Sequence, residues 1–272
     1  MNIKTLIFII SGLIFSANTG AQIHLLHNYD LARSIANKSG RLIVMDFWAS
    51  WCGPCKVMDE ELWNSPEIQK ISKNFIGVRI DVEVEKTLVK RYRANSIPKV
   101  IIITVNGDVI WEQEGYDYAD TFLRIFEAIP ENVSDLNKQL QVLAADKNDI
   151  QAIYSTGLEF QHLGRINKNN KLQSSFLNNS DIYLKRALKL STDSLFTEEI
   201  ELNSIMNEVY SDRHEIALQR IEQMGFEPRN EALAEFRHFI RARCYIGIND
   251  QEKYQKEKLM ITNKELLDQL EN

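Results

Sequence analysis

Residues 51–56 read Trp-Cys-Gly-Pro-Cys-Lys and directly follow the apolar run Leu-Ile-Val-Met-Asp-Phe-Trp at residues 42–48. An unbroken apolar run of this kind is typical of a strand that is buried on both faces. Pro54 suits the first turn of a helix after that strand, because its missing N–H is not needed there. A strand followed by a helix is the context in which Cys52 and Cys55 indicate a redox-active dithiol.

The order of the two cysteines suggests how they would work. Cys52 lies at the positive end of the predicted helix, where a thiolate is stabilised. Cys55 lies about one turn further along, close enough to attack a mixed disulfide formed on Cys52. The pair can therefore exchange electrons with another protein.

A Cys-x-x-Cys pair can also be half of a zinc site or a structural disulfide. A structural zinc site takes four ligands, but Cys244 is the one other cysteine and the five histidines show no pairing at ligand spacing. A disulfide that closes so short a loop would restrict the unfolded chain little. The redox interpretation therefore fits best, and Cys244 is expected to be a buried free thiol.

Two separated segments resemble the thioredoxin family. Residues 44–56 are similar, nearly residue for residue, to the active-site segment of that family. Residues 96–98, Ser-Ile-Pro, precede an apolar run, an Asn-Gly-Asp turn at residues 106–108 and a second short strand. This order resembles the family's cis-proline loop and the hairpin after it, and Gly115 matches the glycine that usually follows the last strand. The resemblance covers roughly residues 28–130.

The resemblance implies a thioredoxin-like α/β sandwich and specific roles for several residues. Cys52 would be the nucleophile and Cys55 the resolving thiol, with the redox-active disulfide between them in place of an external cofactor. Asp46 would be a buried acid, and the bond before Pro98 would be cis. The substrate-binding residues would be Trp51, Gly53, Pro54 and Ile97. The expected partners are protein thiols and disulfides, together with an upstream electron-donor protein.

Three of these residues can also be judged from the sequence around them. Asp46 interrupts an apolar run, and a carboxyl buried there would have a raised pKa suited to proton transfer near neutrality. The alternative is an aspartate at a strand end that faces water. Pro98 could be an ordinary trans proline, since about one X-Pro bond in twenty is cis. Trp51 could be a packing residue, but beside a redox pair we expect it to shield the pair and offer an apolar contact surface.

Two positions depart from the family pattern. The family often carries a lysine one strand over from the buried acid, and Gly77 is the residue nearest that position here. Lys99 follows Pro98, where the family usually has a smaller neutral residue. Lys99 would either lie beside the substrate groove, where a cation favours thiolates or acidic partners, or point to solvent.

Residues 1–21 have the pattern of a secretory signal peptide. Lys4 precedes an apolar core of about ten residues, and small and polar residues follow as far as Ala21. The stretch is short for a membrane span, and the alternative is an uncleaved N-terminal anchor. After cleavage we expect a secreted protein without a stable membrane span. In a bacterium it would lie in the periplasm, where disulfides persist.

Composition fits a globular protein with two domains. Hydrophobic residues make up 44% of the chain and charged residues 26%, and 272 residues suffice for two cores. The net charge of −6 argues against a nucleic-acid partner. We expect a thioredoxin-like domain at residues 22–130 and an α-helical domain at residues 131–272.

The second half shows apolar residues at helical spacing and no convincing strand. We expect a helical bundle or a short solenoid similar to tetratricopeptide repeats, although the repeat signature of that class is not clearly present. The polar residues 165–170 are predicted to form a loop or a flexible excursion, with helices at 181–190 and 251–270. In the first half, one helix is predicted at residues 54–63, and Pro66 indicates the first turn of another. A strand is predicted at residues 75–82.

The sequence therefore predicts a secreted thiol–disulfide oxidoreductase. The Gly-Pro pair between the cysteines resembles that of reducing family members, so a protein-disulfide reductase is the preferred form. A disulfide oxidase or isomerase is an alternative, because the intervening residues only tune the redox potential. A second alternative is a redox-anchored scaffold in which the helical domain binds a client and does the main work.

Overall fold

The computed structural model describes residues 25–225, 228 and 230–271. The expected signal peptide at residues 1–21 lies outside the described residues.

A four-stranded mixed sheet organises the first half of the chain. Its strands are β1 (Leu42–Trp48), β2 (Phe75–Asp81), β3 (Lys99–Ile103) and β4 (Val109–Glu114). They lie in the order β2-β1-β3-β4, with β1 parallel to β2 and antiparallel to β3, and β3 antiparallel to β4. The first six residues of β1 are buried, as its apolar run predicts. This is the thioredoxin-like α/β arrangement expected from the sequence.

Five helices flank the sheet: α1 (Tyr29–Ser39), α2 (Gly53–Met58), α3 (Pro66–Ile71), α4 (Lys86–Arg91) and α5 (Ala119–Glu127). Asn28 caps the start of α1, and Gly40, with φ of 63°, ends it in the left-handed conformation. Pro54 and Pro66 both lie in the first turn of their helices, as predicted. The single helix predicted at residues 54–63 is wrong in its second half.

A turn of π-helix at Asp59–Trp63 follows α2 directly. The sequence does not predict this change from an α-helical to a π-helical turn, because the apolar residues of the segment are spaced nearly as they would be in an ordinary α-helix. π-Turns of this kind occur frequently at functional sites.

Every element in the described part of residues 131–271 is an α-helix. These helices are α6 (Ser134–Ala145), α7 (Ile150–Ile166), α8 (Asn170–Leu190), α9 (Ser194–Tyr210), α10 (His214–Gln223), α11 (Glu231–Gly247), α12 (Gln251–Lys258) and α13 (Lys264–Glu271). No helix among the described residues is both long enough and apolar enough to span a bilayer.

Two helix boundaries in this half differ from the prediction, and side-chain caps explain both. The loop predicted at residues 165–170 is much shorter, because Asn169 accepts the N–H groups of Lys171 and Leu172 and starts α8 early. The helix predicted at residues 251–270 is interrupted after Lys258.

The interruption is fixed by two polar side chains. The Glu235 carboxylate accepts the backbone N–H groups of Thr262 and Asn263. The side chain of Asn263 then accepts the N–H groups of Glu265 and Leu266 at the start of α13. These bonds satisfy N–H groups that a helix start leaves without partners.

The two halves of the chain share a hydrophobic core. One continuous cluster of buried side chains runs from Ala32 to Ile200, and a second runs from Leu202 to Leu270. Hydrogen bonds also link the halves: Asn137 donates to the Ala36 carbonyl, and the Val133 N–H donates to the carbonyl of Gly40. Helices α6 to α8 therefore contribute side chains to the same hydrophobic core as the sheet, and the domain boundary at residue 130 stays a prediction.

Candidate active site

Cys52 and Cys55 form a disulfide where β1 leads into α2. Cys52 is the N-cap of this helix, and its Sγ atom accepts the Cys55 N–H at 3.2 Å. Cys52 is 3% exposed and Cys55 is fully buried. The helix terminus thus directs an N–H group at the sulfur of Cys52, which is the arrangement that stabilises negative charge on that atom.

The surroundings of the disulfide combine an exposed ring with a closely packed loop. Trp51 is 64% exposed immediately before Cys52, and Gly53 has open space around it. Ile97 packs against the buried cluster that contains the two cysteines, and the peptide bond between Ile97 and Pro98 is cis. The structure therefore brings the predicted substrate-binding residues Trp51, Gly53 and Ile97 to one surface around the disulfide, with Pro54 in the first turn of α2.

Asp46 is fully buried in β1. The alternative of an aspartate facing water is therefore wrong. Burial raises the pKa of this carboxyl to about 7, although the Arg79 guanidinium acts to lower it and the nearby Asp59 carboxylate adds to the rise. A group with this pKa can either hold or accept a proton near neutrality.

Arg79 joins two carboxylates. Its Nε atom lies 3.4 Å from Oδ2 of Asp46, and its Nη2 atom donates to both carboxylate oxygens of Asp59 at 2.7 and 2.8 Å. The guanidinium carbon also lies 4.2 Å from the centre of the Trp48 ring. Because Asp59 is 27% exposed, the three charged groups lead from the buried acid to the protein surface.

Sequence reasoning missed Arg79 and Asp59. The sequence pattern indicates Gly77 as the residue nearest the family's lysine, but the strand register pairs Gly77 with Val44 and Arg79 with Asp46. The cation beside the buried acid is therefore present two residues further along β2. A signal was available in the sequence, since Arg79 lies within a largely apolar predicted strand where a charged side chain needs a partner.

Lys99 does not point to solvent. Its side chain is 3% exposed, and its Nζ atom lies 3.0 Å from Oε2 of Glu112 and 3.2 Å from Oε1 of Glu114. It is therefore already ion-paired rather than a free cation available to acidic partners.

The third cysteine lies apart from this site. Cys244 is buried in α11, within the second hydrophobic cluster, and burial raises the pKa of its thiol to about 12. Among the described residues, no group of three or more His, Cys, Asp or Glu side chains could hold a metal ion. Cys52 and Cys55 are the two cysteines that the structure pairs.

Comparison with known proteins agrees with this geometry. A family model described as a thioredoxin-like domain matches residues 29–130. Thioredoxin H-type of Fagopyrum esculentum is 35% identical over 77 residues, which are 27% of this chain and 61% of that protein. Thioredoxin-1 of Drosophila melanogaster is 34% identical over 77 residues, which are 28% of this chain and 70% of that protein.

A solved structure shows a further likeness. The C-terminal domain of Neisseria meningitidis DsbD, in its oxidised form, aligns over 39% of this chain and 99% of that domain, with 23% identity and a TM-score of 0.34.

Among the sequence relatives, the chain spans 61% of the length of the Fagopyrum esculentum protein and 70% of the length of the Drosophila melanogaster protein. On the match to Thioredoxin-1 and to the family model, this chain belongs to the thioredoxin family.

Proposed function

We propose that the protein is a protein-disulfide reductase that works through Cys52 and Cys55. One observation carries the proposal: the strand that leads into the disulfide-bearing helix holds a fully buried carboxyl, Asp46, whose pKa is raised to about 7. The disulfide exchanges electrons and the carboxyl can exchange the accompanying proton.

The reaction begins with the reduced protein. The Cys52 thiolate attacks one sulfur of the target disulfide, which forms a mixed disulfide and releases the other target sulfur as a thiolate. Cys55 then loses its proton to the Asp46 carboxylate and attacks Sγ of Cys52. The second target sulfur leaves as a thiolate, and the Cys52–Cys55 disulfide forms. Two electrons have passed to the target, and an upstream electron-donor protein would reduce the disulfide again.

Arg79 and Asp59 support the proton step in this scheme. The pKa of Asp46 reflects burial, which raises it, and the Arg79 cation, which lowers it. Asp59 holds Arg79 through both carboxylate oxygens and is partly exposed. We infer that this pair keeps Asp46 titrating near neutrality, so that it can accept a proton from Cys55 and later release it.

The reducing direction and the location of the protein are part of the same proposal. The Gly-Pro pair at residues 53–54 resembles reducing family members, and the pattern of residues 1–21 favours export. In a bacterium the protein would act in the periplasm on disulfides of exported proteins. The helical half would contribute to the choice of client, since it offers a large surface of packed helices.

The experiment is turnover of a disulfide-bonded protein such as insulin by the full chain with dithiothreitol as donor. Wild type should reduce it catalytically, whereas Cys52→Ser should be inactive and Cys55→Ser should accumulate mixed disulfides. Cys244→Ser is the matched control, because this buried thiol lies outside the site, and it should turn over like wild type. A wild-type protein without turnover would favour the scaffold alternative.

The redox potential separates a reductase from an oxidase. Equilibration of the Cys52–Cys55 pair in glutathione buffers should give a value close to that of thioredoxin, about −270 mV. A value near that of a strong oxidant, about −120 mV, would show that the protein donates disulfides instead.

A further inference from the structure

Lys99 is a buried cation held by two acids. It is the first residue of β3, and its Nζ atom lies within 3.2 Å of carboxylate oxygens from Glu112 and Glu114 on β4. The two glutamates are 55% and 51% exposed, whereas the lysine is 3% exposed. A buried charge is costly unless it is paired, so these two carboxylates are what allow a lysine to occupy this position.

The ion pairs connect the cis-proline segment to the last strand of the sheet. Lys99 directly follows Pro98, and it lies opposite Glu114 in the register of β3 and β4. One residue beyond Glu114, the Gly115 N–H donates to the Pro98 carbonyl at 2.8 Å. A side-chain contact and a backbone hydrogen bond therefore hold the same two points of the chain together.

This anchored segment carries a residue that packs beside the disulfide. Ile97 packs against the buried cluster formed by Ala49, Cys52 and Cys55 and lies two residues before Lys99. A displacement at the start of β3 is therefore transmitted through the rigid proline ring to the side chain beside the reacting sulfurs.

Lys99 is separate from the proton-transfer groups. Asp46 pairs with Val100 across β1 and β3, whereas Lys99 pairs with Phe47. Neighbouring residues of a strand point to opposite faces of the sheet, so Lys99 and Asp46 lie on different faces. A change at Lys99 should therefore leave the proton step intact.

We propose that Lys99, held by Glu112 and Glu114, is a positioning residue that fixes the Ile97–Pro98 segment for the docking of protein substrates. The proposal rests on the proposed reductase function. Large substrates must lie along the Ile97–Pro98 segment, so a change at Lys99 should weaken their binding. Small disulfides need only reach Cys52, so the same change should affect them little.

The test compares two substrates in the full-length protein. Reduction of insulin measures docking plus chemistry, and reduction of 5,5′-dithiobis(2-nitrobenzoic acid) measures the accessibility and chemistry of Cys52. In Lys99→Met, KM for insulin should rise about three- to tenfold with kcat within about twofold, as expected when an interaction used for substrate binding is lost. The rate with the small disulfide should stay within about twofold of wild type.

Three further variants make the result decisive. The double variant Glu112→Gln, Glu114→Gln removes both counter-charges and should raise KM for insulin as Lys99→Met does. Lys99→Arg keeps the cation and should have a KM for insulin close to that of wild type. Lys258→Met, which removes a lysine paired with Glu271 in α12 and α13, is the matched control and should behave like wild type. If Lys99→Met does not fold, the glutamate pair alone decides the outcome.

The outcomes separate this proposal from the proposed function. An unchanged KM for insulin in the folded variants would overturn the positioning role, and so would equal losses with both substrates. A wild-type protein that reduces neither substrate would instead overturn the reductase function itself.

Discussion

Arg79 lies opposite Asp46 on the neighbouring parallel strand, with 3.4 Å between its Nε atom and Oδ2 of the carboxylate. The cation opposes the effect of burial, which by itself would favour the neutral acid. The resulting pKa of about 7 means that Asp46 changes its charge in the range in which thiols are exchanged. Arg79 also holds Asp59, so the surface carboxylate and the buried one respond to the same cation.

Asp46 should make the protein less stable as pH rises. The pKa of Asp46 is raised from 3.8 to about 7, so between these values the folded state holds a proton that the unfolded state has lost. The free energy of unfolding should therefore fall by about 4 kcal/mol from pH 4 to pH 8, at about 1.4 kcal/mol for each pH unit between the two pKa values. Asp46→Asn should abolish this decline, which urea unfolding at several pH values would measure. A variant with the same pH slope as wild type would contradict the assignment.

The same substitution should slow the release of the mixed disulfide. The Asp46 carboxylate is ionised above about pH 7 and is then able to accept the Cys55 proton, so the wild-type rate should rise through this pH. Asp46→Asn should lower the rate at pH 8 by about a hundredfold or more, since a general base typically contributes at least that much. Single-turnover reduction between pH 6 and 9 measures it, and identical profiles for the two proteins would refute the role.

Arg79 and Asp59 should move the pH profile in opposite directions. Arg79 lowers the pKa of Asp46 and Asp59 raises it. In Arg79→Met, the midpoint of the curve of reduction rate against pH should therefore move to higher pH. Asp59→Asn should move it to lower pH, because the freed guanidinium would act on Asp46 alone. At a fixed pH well below the midpoint, each pH unit by which the midpoint moves changes the ionised fraction of Asp46 by about tenfold. Midpoints that move in the same direction in both variants would indicate a general loss of structure instead.

Much of the first half could be predicted because its signals are local. The bounds of β1 match the apolar run at residues 42–48, and Pro54 and Pro66 mark the first turns of α2 and α3. These features depend on residues that are adjacent in sequence, so the chain itself carries the information.

The missed features depend on pairing between distant segments. Arg79 meets Asp46 only because of the register of β1 and β2, and Lys99 is buried only because Glu112 and Glu114 lie across the hairpin. A sequence pattern identifies each charged residue but not the partner that makes its burial possible.

Helices α6 to α8 should unfold together with the sheet. Leu140 of α6 is fully buried in the cluster that also contains the residues of β1 and β3, whereas Ile240 of α11 is fully buried in the second cluster. Leu140→Ala should lower the free energy of unfolding by about 2–5 kcal/mol, the usual cost of a large-to-small change in a packed core. Because the core is shared, the amides of β1 and β3 should lose protection against hydrogen exchange by the same amount of free energy.

Ile240→Ala is the matched control. A comparable cavity in the second cluster should first weaken α9 to α13 and should affect the protection of β1 and β3 less. If Leu140→Ala instead spares the strands, the helices would be a separate folding unit, and the boundary at residue 130 would then separate two independent domains.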